Sequence, residues 1–210
     1  HMNASLFIRD GHNTGVEEVN LKYLYAMAGM LMLLAGCAAA GSYTAEVDVD
    51  TYVSQSDANQ SYADSPVLWA ASEDGTATKI VYLSIINLFG TQSIFKPDQI
   101  ESATLTLDAV DVKNGGKITA YFMHGAALDT MTWYDRADYD SSVSSSAVEV
   151  EDTGSYKFDV TDIVKKAVET CSDGCPYSIV LVAEDDAEVG FASSESDEGD
   201  KPQLKYETAE

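Results

Sequence analysis

The sequence predicts an all-β protein, a two-sheet, jelly-roll-like β-sandwich with one short helix near residues 161–169. Three observations support this prediction. After residue 45, short runs in which apolar and polar residues alternate recur along the chain, as they do in half-buried strands. Turn-forming Gly, Asn and Asp residues separate these runs, and one segment alone has helical spacing. Many short strands with a single helix are typical of a double-sheet sandwich.

Ten of these runs have the length and composition of strands. They cover residues 46–55, 67–72, 79–88, 102–112, 117–124, 147–151, 156–160, 178–184, 188–193 and 203–207. Between the fourth and the fifth run stands Asn114-Gly115-Gly116, which suits a tight hairpin because glycine readily adopts positive φ values. We therefore expect strands 102–112 and 117–124 to pair with each other.

The single predicted helix follows Thr161, whose hydroxyl can cap the first turn. Its apolar residues recur at helical spacing, so one face should be buried. That face consists of Ile163, Val164, Ala167 and Val168. Lys165 and Lys166 fall on the other side, and we expect the helix to cover one end of the sandwich.

An export leader is predicted in residues 3–36. Lys22 precedes an apolar run, residues 23–36, which is short for a ~30 Å hydrocarbon core and has the length of the apolar part of a signal peptide. The sequence Leu34-Ala35-Gly36-Cys37 resembles the lipobox of bacterial lipoproteins, which implies cleavage before Cys37 and a lipid on its thiol. A plain membrane anchor is the alternative.

The remaining boundaries follow from composition. Residues 1–2 have the form of a tag or cloning remnant. Residues 37–45 are small and polar and are predicted to form a tether. Residues 46–210 are predicted to form one acidic domain that is exported and lies, lipid-anchored, at the cell surface or outside the cell.

The charge of the chain restricts its partners. There are 35 Asp and Glu residues against 12 Lys and Arg, a formal net charge of −23. A nucleic-acid phosphate backbone would be repelled, so we expect no nucleic-acid partner. Partners should be neutral, cationic or bridged by metal ions. The same acidity also keeps a surface hydrated and soluble.

Two cysteines of the predicted domain are close in sequence. Cys171 and Cys175 enclose a short segment, residues 172–174, that contains Gly and can turn back on itself. Because export would allow oxidation, we expect a small disulfide loop. Zinc binding is the alternative, but two thiols with no nearby His would leave a structural zinc site short of ligands.

A series of short segments, taken in order, is similar to a known family. The segments are Asp50–Val53, Val81–Ile85, Ile100–Leu107, Met131–Trp133, Phe158–Val164, Phe191–Glu195 and Pro202–Leu204. Together they resemble the DNRLRE domains, a group that includes the family 96 carbohydrate-binding modules and the archaeal disaggregatase-related repeats. The resemblance runs from about Val49 to Tyr206.

The resemblance implies a β-sandwich that binds extracellular polysaccharide, often as an accessory module beside a lyase or in a surface protein. This chain departs from the family pattern at the third predicted strand, where Val81 and Ile85-Ile86 replace a customary basic residue and Phe. The loop 89–99 is also distinctive. The nature of the sugar therefore does not carry over.

No catalytic site is predicted. His124 is the only histidine after residue 45, so neither a Ser-His-Asp triad nor a multi-histidine metal site is expected. Acidic residues are so abundant that carboxylate pairs suited to glycoside hydrolysis arise by chance. A polysaccharide lyase or hydrolase is therefore the least favoured interpretation.

Two groups of side chains are candidates for binding. Asp135, Asp138 and Asp140 can present several oxygens to calcium, a hard cation that accepts irregular geometry. Sugar binding usually uses aromatic rings that stack on apolar faces of the ring. The candidates for such stacking are Trp69, Tyr134 and Tyr139.

These observations favour a non-catalytic, lipid-anchored surface protein that binds polysaccharide or a cell-surface glycan, or mediates adhesion. Calcium would then order the acidic loop. The alternative is a structural subunit of an extracellular matrix or filament. In that alternative, a segment before Glu46 adds as a strand to the sheet of a neighbouring copy, and calcium offsets the repulsion between acidic subunits.

Overall fold

The computed structural model describes residues 40–171 and 173–209. Within this part of the chain there are twelve strands, two short 3-10 turns and one α-helix. The strands are Ser42–Ala45 (β1), Val47–Ser54 (β2), Val67–Glu73 (β3), Thr76–Ile85 (β4), Ile100–Asn114 (β5), Gly116–His124 (β6), Asp140–Ser144 (β7), Val148–Val150 (β8), Gly154–Asp159 (β9), Tyr177–Ala183 (β10), Glu188–Ala192 (β11) and Gln203–Thr208 (β12). The helix is Thr161–Cys171 (α1).

The strands form two packed layers, and every pairing between them is antiparallel. One layer has the order β3-β11-β5-β9, and the other has the order β4-β10-β6-β8. This is the strand order of a jelly roll. Strand β2 extends the second layer beside β4, whereas β12 and β1 extend the first layer beside β5. The predicted all-β sandwich is confirmed.

Inward-facing apolar residues of both layers form the main core. Alternate residues of β3, such as Leu68 and Ala70, point into it and are fully buried. Leu105, Phe158 and Ile179 are likewise inaccessible to solvent. Because successive side chains of a strand point to opposite faces, Trp69 is directed to the outer face of its layer. This alternation positions the outer-face residues of the functional site.

A second apolar cluster covers the outer face of the layer that contains β4, β10 and β6. Tyr82, Met123 and Val180 belong to it, together with Ala127 and Met131 from the loop after β6. The Tyr82 hydroxyl donates a hydrogen bond of 3.1 Å to the carbonyl oxygen of residue 137. The loop between β6 and β7 is therefore packed against the sheet.

Helix α1 has the predicted position and the predicted buried face. Ile163, Val164, Ala167 and Val168 are all fully buried. The Asp159 carboxylate accepts hydrogen bonds from the Thr161 amide and hydroxyl, at 3.1 Å and 2.6 Å. The Thr161 hydroxyl oxygen in turn accepts a bond from the amide of residue 103, so the helix start is tied to β5.

The predicted hairpin between strands 102–112 and 117–124 is wrong. Strand β5 pairs with β9, β11 and β12, whereas β6 pairs with β7, β8 and β10. The connection crosses from one layer to the other, and Gly116 allows the crossing: a Cβ atom there would lie 2.9 Å from Ala187 Cβ. The glycines permit a close approach between segments rather than a two-residue hairpin.

Two strands fall outside the predicted ten, β1 and β7. Strand β1 pairs with β12 from Ser42 to Ala45, so the sheet starts four residues before the predicted domain boundary, inside the predicted tether. Its small polar residues are held by backbone pairing, and Tyr43 stacks on Tyr206 with ring centroids 5.5 Å apart. The serine-rich β7 likewise forms by pairing with β6.

The predicted leader, residues 3–36, and the predicted lipid attachment site, Cys37, lie outside the described residues, as do residues 1–2. Among the residues that the structure describes, no helix has the length and apolar character needed to cross a membrane.

Candidate functional site

Three chain reversals meet at one end of the sandwich. Asp74 and Gly75 connect β3 to β4, with φ values of 51° and 73°. Asp185 and Asp186 lie between β10 and β11, with φ values of 55° and 59°. Positive φ at both central residues is the geometry of a type I′ turn. The Asn114 side chain donates a 2.7 Å hydrogen bond to the Asp186 carbonyl oxygen and ties the β5–β6 connection to the second turn.

A concavity of about 660 Å³ lies beside these reversals, and we call it the hairpin-end cleft. Polar side chains line most of it: Ser54, Gln55, Ser56, Ser72, Thr78 and Asn114. Charged groups also line it: Glu73, Asp74, Lys79, Asp186 and Glu188. Ser72 is 7% exposed, and its hydroxyl has no hydrogen-bond partner among the described residues. A polar ligand would find both donors and acceptors here.

Trp69 lies next to this cleft on the outer face of the β3 layer and is partly exposed. The Lys113 ammonium is 4.0 Å from the centroid of its ring, and the Lys79 ammonium is 5.1 Å away. Glu188 Oε1 accepts from both lysines, at 2.7 Å and 2.9 Å. We call Trp69, Lys79, Lys113, Glu188 and the adjoining Gly190 the Trp69 platform.

The two ammonium groups affect Glu188 as well as the ring. The hydrogen bond from Lys79 is the largest cause that holds the pKa of Glu188 below its ordinary value, and Lys113 acts in the same direction. Because Lys79 and Glu188 also line the hairpin-end cleft, the platform and the cleft form one continuous surface. It combines an aromatic ring, two cations and several carboxylates.

The other two predicted stacking residues lie elsewhere. Tyr139 packs against the second apolar cluster and contacts the ring of Tyr121, with centroids 4.8 Å apart. This ring therefore contributes to packing. Tyr134 is 75% exposed and remains available to a ligand. Because the second cluster covers the opposite layer, the structure does not bring these tyrosines together with Trp69.

The predicted calcium ligands are Asp135, Asp138 and Asp140, and all three are exposed. Asp135 Oδ1 accepts two 2.6 Å hydrogen bonds from the amide and hydroxyl of Thr132, and these bonds lower the pKa of Asp135. Asp140 accepts equivalent bonds from Ser142, which likewise lower its pKa. In the described residues these carboxylates form no three-residue ligand cluster. Calcium binding here stays a prediction.

A disulfide joins Cys171 and Cys175, whose Cα atoms are 4.8 Å apart. Its surroundings contain a residue that the sequence did not place there. His124, at the end of β6, has its Nε2 atom 3.6 Å from Cys175 Sγ. It is separated from the cysteines by about fifty residues in the chain, and the pairing of β6 with β10 brings it close.

One acidic side chain is buried among the described residues. Asp50, in β2, is 3% exposed and accepts hydrogen bonds from the Ser194 amide and hydroxyl, at 2.7 Å and 2.9 Å. The same hydroxyl lies 2.8 Å from Glu195 Oε2 and has only one proton to donate. Burial is the main cause that raises the pKa of Asp50; the Ser194 bonds oppose it, and the Glu195 charge adds to it.

Sequence reasoning identified Trp69 but missed its partners. Lys79, Lys113 and Glu188 are far apart in the chain and belong to no local motif. The pairing of β3 with β4 places Lys79, and the pairing of β11 with β3 and β5 places Glu188 and Lys113. Strand alternation is the signal in the sequence that indicates the direction of the Trp69 side chain. Because its neighbours Leu68 and Ala70 are apolar and face the core, the indole between them points to the outer face.

Comparison with known proteins supplies a family. The sequence model of carbohydrate-binding module family 96 matches residues 42–208. The matched segment starts at the first residue of β1 and ends at the last residue of β12. No curated protein matches the chain. The match therefore covers the whole described sandwich, including the Trp69 platform and the hairpin-end cleft.

Proposed function

This chain belongs to carbohydrate-binding module family 96, and we propose on that basis that it binds a polysaccharide through the Trp69 platform and the hairpin-end cleft. The family is one of binding modules, so the protein acts by attachment to glycan and not by catalysis.

The Trp69 ring is the observation that carries the proposal. Sugars present apolar C–H faces that stack on aromatic rings, while their hydroxyls need polar neighbours. Trp69 offers a ring at the protein surface with Lys79, Lys113 and Glu188 around it. The Lys113 side chain is 50% exposed, and an exposed cation–ring contact is worth only about 0.5–1 kcal/mol. A sugar can therefore displace the ammonium from the ring.

The hairpin-end cleft provides hydrogen bonds for a second sugar unit. Its hydroxyl, amide and carboxylate groups match the donors and acceptors of a glycan. The Ser72 hydroxyl lies beneath this lining: its oxygen is buried and has no partner within the described protein, so a ligand in the cleft does not reach it.

We also propose that the protein works outside the cytoplasm and is held at a cell surface by a lipid on Cys37. The acidic surface, the disulfide and the family membership support an extracellular role. Intact-mass analysis of the protein made in its natural host tests the anchor. A mature chain that starts at Cys37 and carries the added mass of a lipid is expected, and a chain that starts upstream of Cys37 would contradict it.

The binding proposal is tested with soluble polysaccharides, both neutral and carboxylated, by calorimetry and by affinity electrophoresis. Trp69→Ala is expected to weaken binding at least about tenfold, the change that corresponds to 1.4 kcal/mol. Tyr134→Ala is the matched control, because it removes an exposed aromatic ring from the β6–β7 loop, away from Trp69. Loss of binding in Tyr134→Ala, with Trp69→Ala unaffected, would place the site on the β6–β7 loop instead.

A further inference from the structure

A separate cluster lies away from the Trp69 platform, where the end of β6 meets the loop after α1. His124, Cys171 and Cys175 each offer one ligand atom, and these three atoms lie within 4.8 Å of one another. In residues 40–171 and 173–209 no other group of three His, Cys, Asp or Glu side chains has this spacing. In the structure the two sulfur atoms are joined in a disulfide.

We propose that reduction of the Cys171–Cys175 disulfide converts this cluster into a binding site for one thiophilic, four-coordinate metal ion of the Zn²⁺ class. Two molecules of a small thiol supply two electrons and two protons. The S–S bond breaks, each cysteine becomes a thiol, and the two external thiols leave joined as a disulfide. When the metal binds, both cysteine thiols release their protons to solvent and bind as thiolates.

The cysteine loop is held by hydrogen bonds that do not depend on the disulfide. The Asn87 side-chain amide donates to the carbonyl oxygens of both cysteines, 2.7 Å to Cys171 and 2.8 Å to Cys175. The Gly174 amide donates to the Cys171 carbonyl oxygen at 3.0 Å. Cys171 is fully buried at the end of α1. Reduction therefore leaves the two sulfur atoms close together.

The histidine is fixed independently. His124 pairs with Tyr177 in the β6–β10 ladder. The next residue, Gly125, donates its amide to the carbonyl oxygen of Pro176, at 3.1 Å. Because Tyr177 is itself fully buried, this strand end cannot move away without opening the core. The imidazole thus stays within reach of Cys175.

The ligand set matches a specific metal chemistry. Two thiolates and one imidazole suit Zn²⁺ and disfavour hard cations such as calcium, which require oxygen ligands. The two thiolate charges balance a divalent cation. Three protein ligands leave a fourth coordination position, and it faces solvent because His124 is exposed and Cys175 is partly exposed. A water molecule can fill that position.

The experiment uses the full chain with Cys37→Ser, so that the third cysteine does not contribute. The protein is reduced with a phosphine and titrated with Co²⁺, whose thiolate charge-transfer and tetrahedral absorption bands report on the ligands. One Co²⁺ per chain is expected, displaced by Zn²⁺. His124→Ala should weaken binding by more than the roughly 10-fold that loss of an outer-shell partner costs. Asp173→Asn, an exposed carboxylate of the same loop, should leave the affinity unchanged.

The oxidised protein provides the second comparison and should show no thiolate charge-transfer band at any Co²⁺ concentration. Near-ultraviolet circular dichroism of the reduced protein checks that the fold persists. The proposal is overturned if the reduced, folded protein lacks the band, or if His124→Ala binds Co²⁺ as tightly as the parent. It is equally overturned if reduction alone unfolds the sandwich, because the site requires the β6–α1 geometry.

Discussion

The indole of Trp69 and the backbone of Gly190 lie opposite each other on paired strands, and a Cβ atom at Gly190 would be 3.2 Å from two atoms of the ring. It would also be 2.6 Å from Val67 Cγ1, closer than atoms in contact can lie. The absence of a side chain at this position therefore determines where the ring rests. Ligand affinity should depend on a residue that cannot itself contact sugar through a side chain.

Gly190→Ala is expected to lower both stability and glycan affinity. The added methyl group must push Trp69 and Val67 aside, and such overpacking costs about 1–3 kcal/mol. Urea denaturation measures the stability, and calorimetry measures the binding. The double variant with Trp69→Ala should bind no worse than Trp69→Ala alone. A Gly190→Ala protein that binds like the parent would show that the ring is not positioned by this contact.

Ser72→Ala is expected to raise stability and to leave glycan binding unchanged. The variant removes a buried hydroxyl without a partner, so the free energy of unfolding should rise by about 1 kcal/mol. Glycan affinity should not change, because the buried Ser72 oxygen is out of reach of a ligand in the cleft. Thr78→Val, on the same cleft, is the matched control for loss of a lining hydroxyl. Weaker affinity in Ser72→Ala would contradict this expectation and show that the ligand reaches the hydroxyl.

Asp50→Asn is expected to stabilise the protein at neutral pH. Burial raises the pKa of Asp50 above the ordinary value of 3.8. The stability that the folded protein gains by keeping this carboxyl group protonated is therefore complete below pH 3.8. The contribution is lost as the pH rises through the folded-state pKa and the buried group must ionise. The gain from Asn should therefore be largest near pH 7 and shrink toward pH 4.

Thermal denaturation across this range measures the effect, with Asp197→Asn as a control that removes an exposed charge from the same region. The lowered pKa values of Asp135, Asp140 and Asp159 make the opposite contribution, because their ionised carboxylates stabilise the folded protein at higher pH. Their contributions are lost only below about pH 3.8, outside the tested window. A destabilised Asp50→Asn variant at pH 7 would mean that the ionised carboxylate is needed by Ser194.

Removal of residues 1–45 is expected to promote self-association. Strand β1 pairs with one edge of β12, and its loss leaves the backbone groups of Leu204–Glu207 on that edge without their partner, while the other edge stays paired with β5. Light scattering at increasing concentration should detect dimers or larger species. A synthetic peptide of residues 40–46 should restore the monomer, whereas the same peptide with Tyr43→Pro should not. A truncated chain that stays monomeric would count against assembly by strand exchange.

The sequence was sufficient for the sandwich and for helix α1 because both depend on local patterns. Alternation marks the strands, and the spacing of Ile163, Val164 and Ala167 marks the helix face. It was insufficient where pairing decides the structure. Strand β7 has no apolar pattern of its own, and the glycines after β5 suggested a hairpin although the chain changes layer there.

In the candidate site, too, local patterns predict single residues, whereas strand pairing decides which residues come together. Trp69 is recognisable as an aromatic residue in a strand, but its lysines come from other strands. Lys79 lies on β4, which pairs with β3, and Lys113 lies on β5, which is joined to β3 through β11. His124 was interpreted as a lone histidine because the sequence does not reveal that β6 pairs beside β10. Both clusters depend on register between distant strands, which composition and spacing do not encode.

Strand β5 measures roughly 45 Å from Ile100 to Asn114, at ~3.3 Å per residue. Its first residue pairs with Thr208, whose hydroxyl oxygen accepts a hydrogen bond from the amide of Gly41. Its last residue, Asn114, lines the hairpin-end cleft. The region around Gly41 and the proposed glycan-binding surface thus lie at opposite ends of the sandwich. If the protein is attached through the residues before Gly41, the cleft points away from its support. Long polymers can then approach from outside without steric interference from the surface that carries the protein.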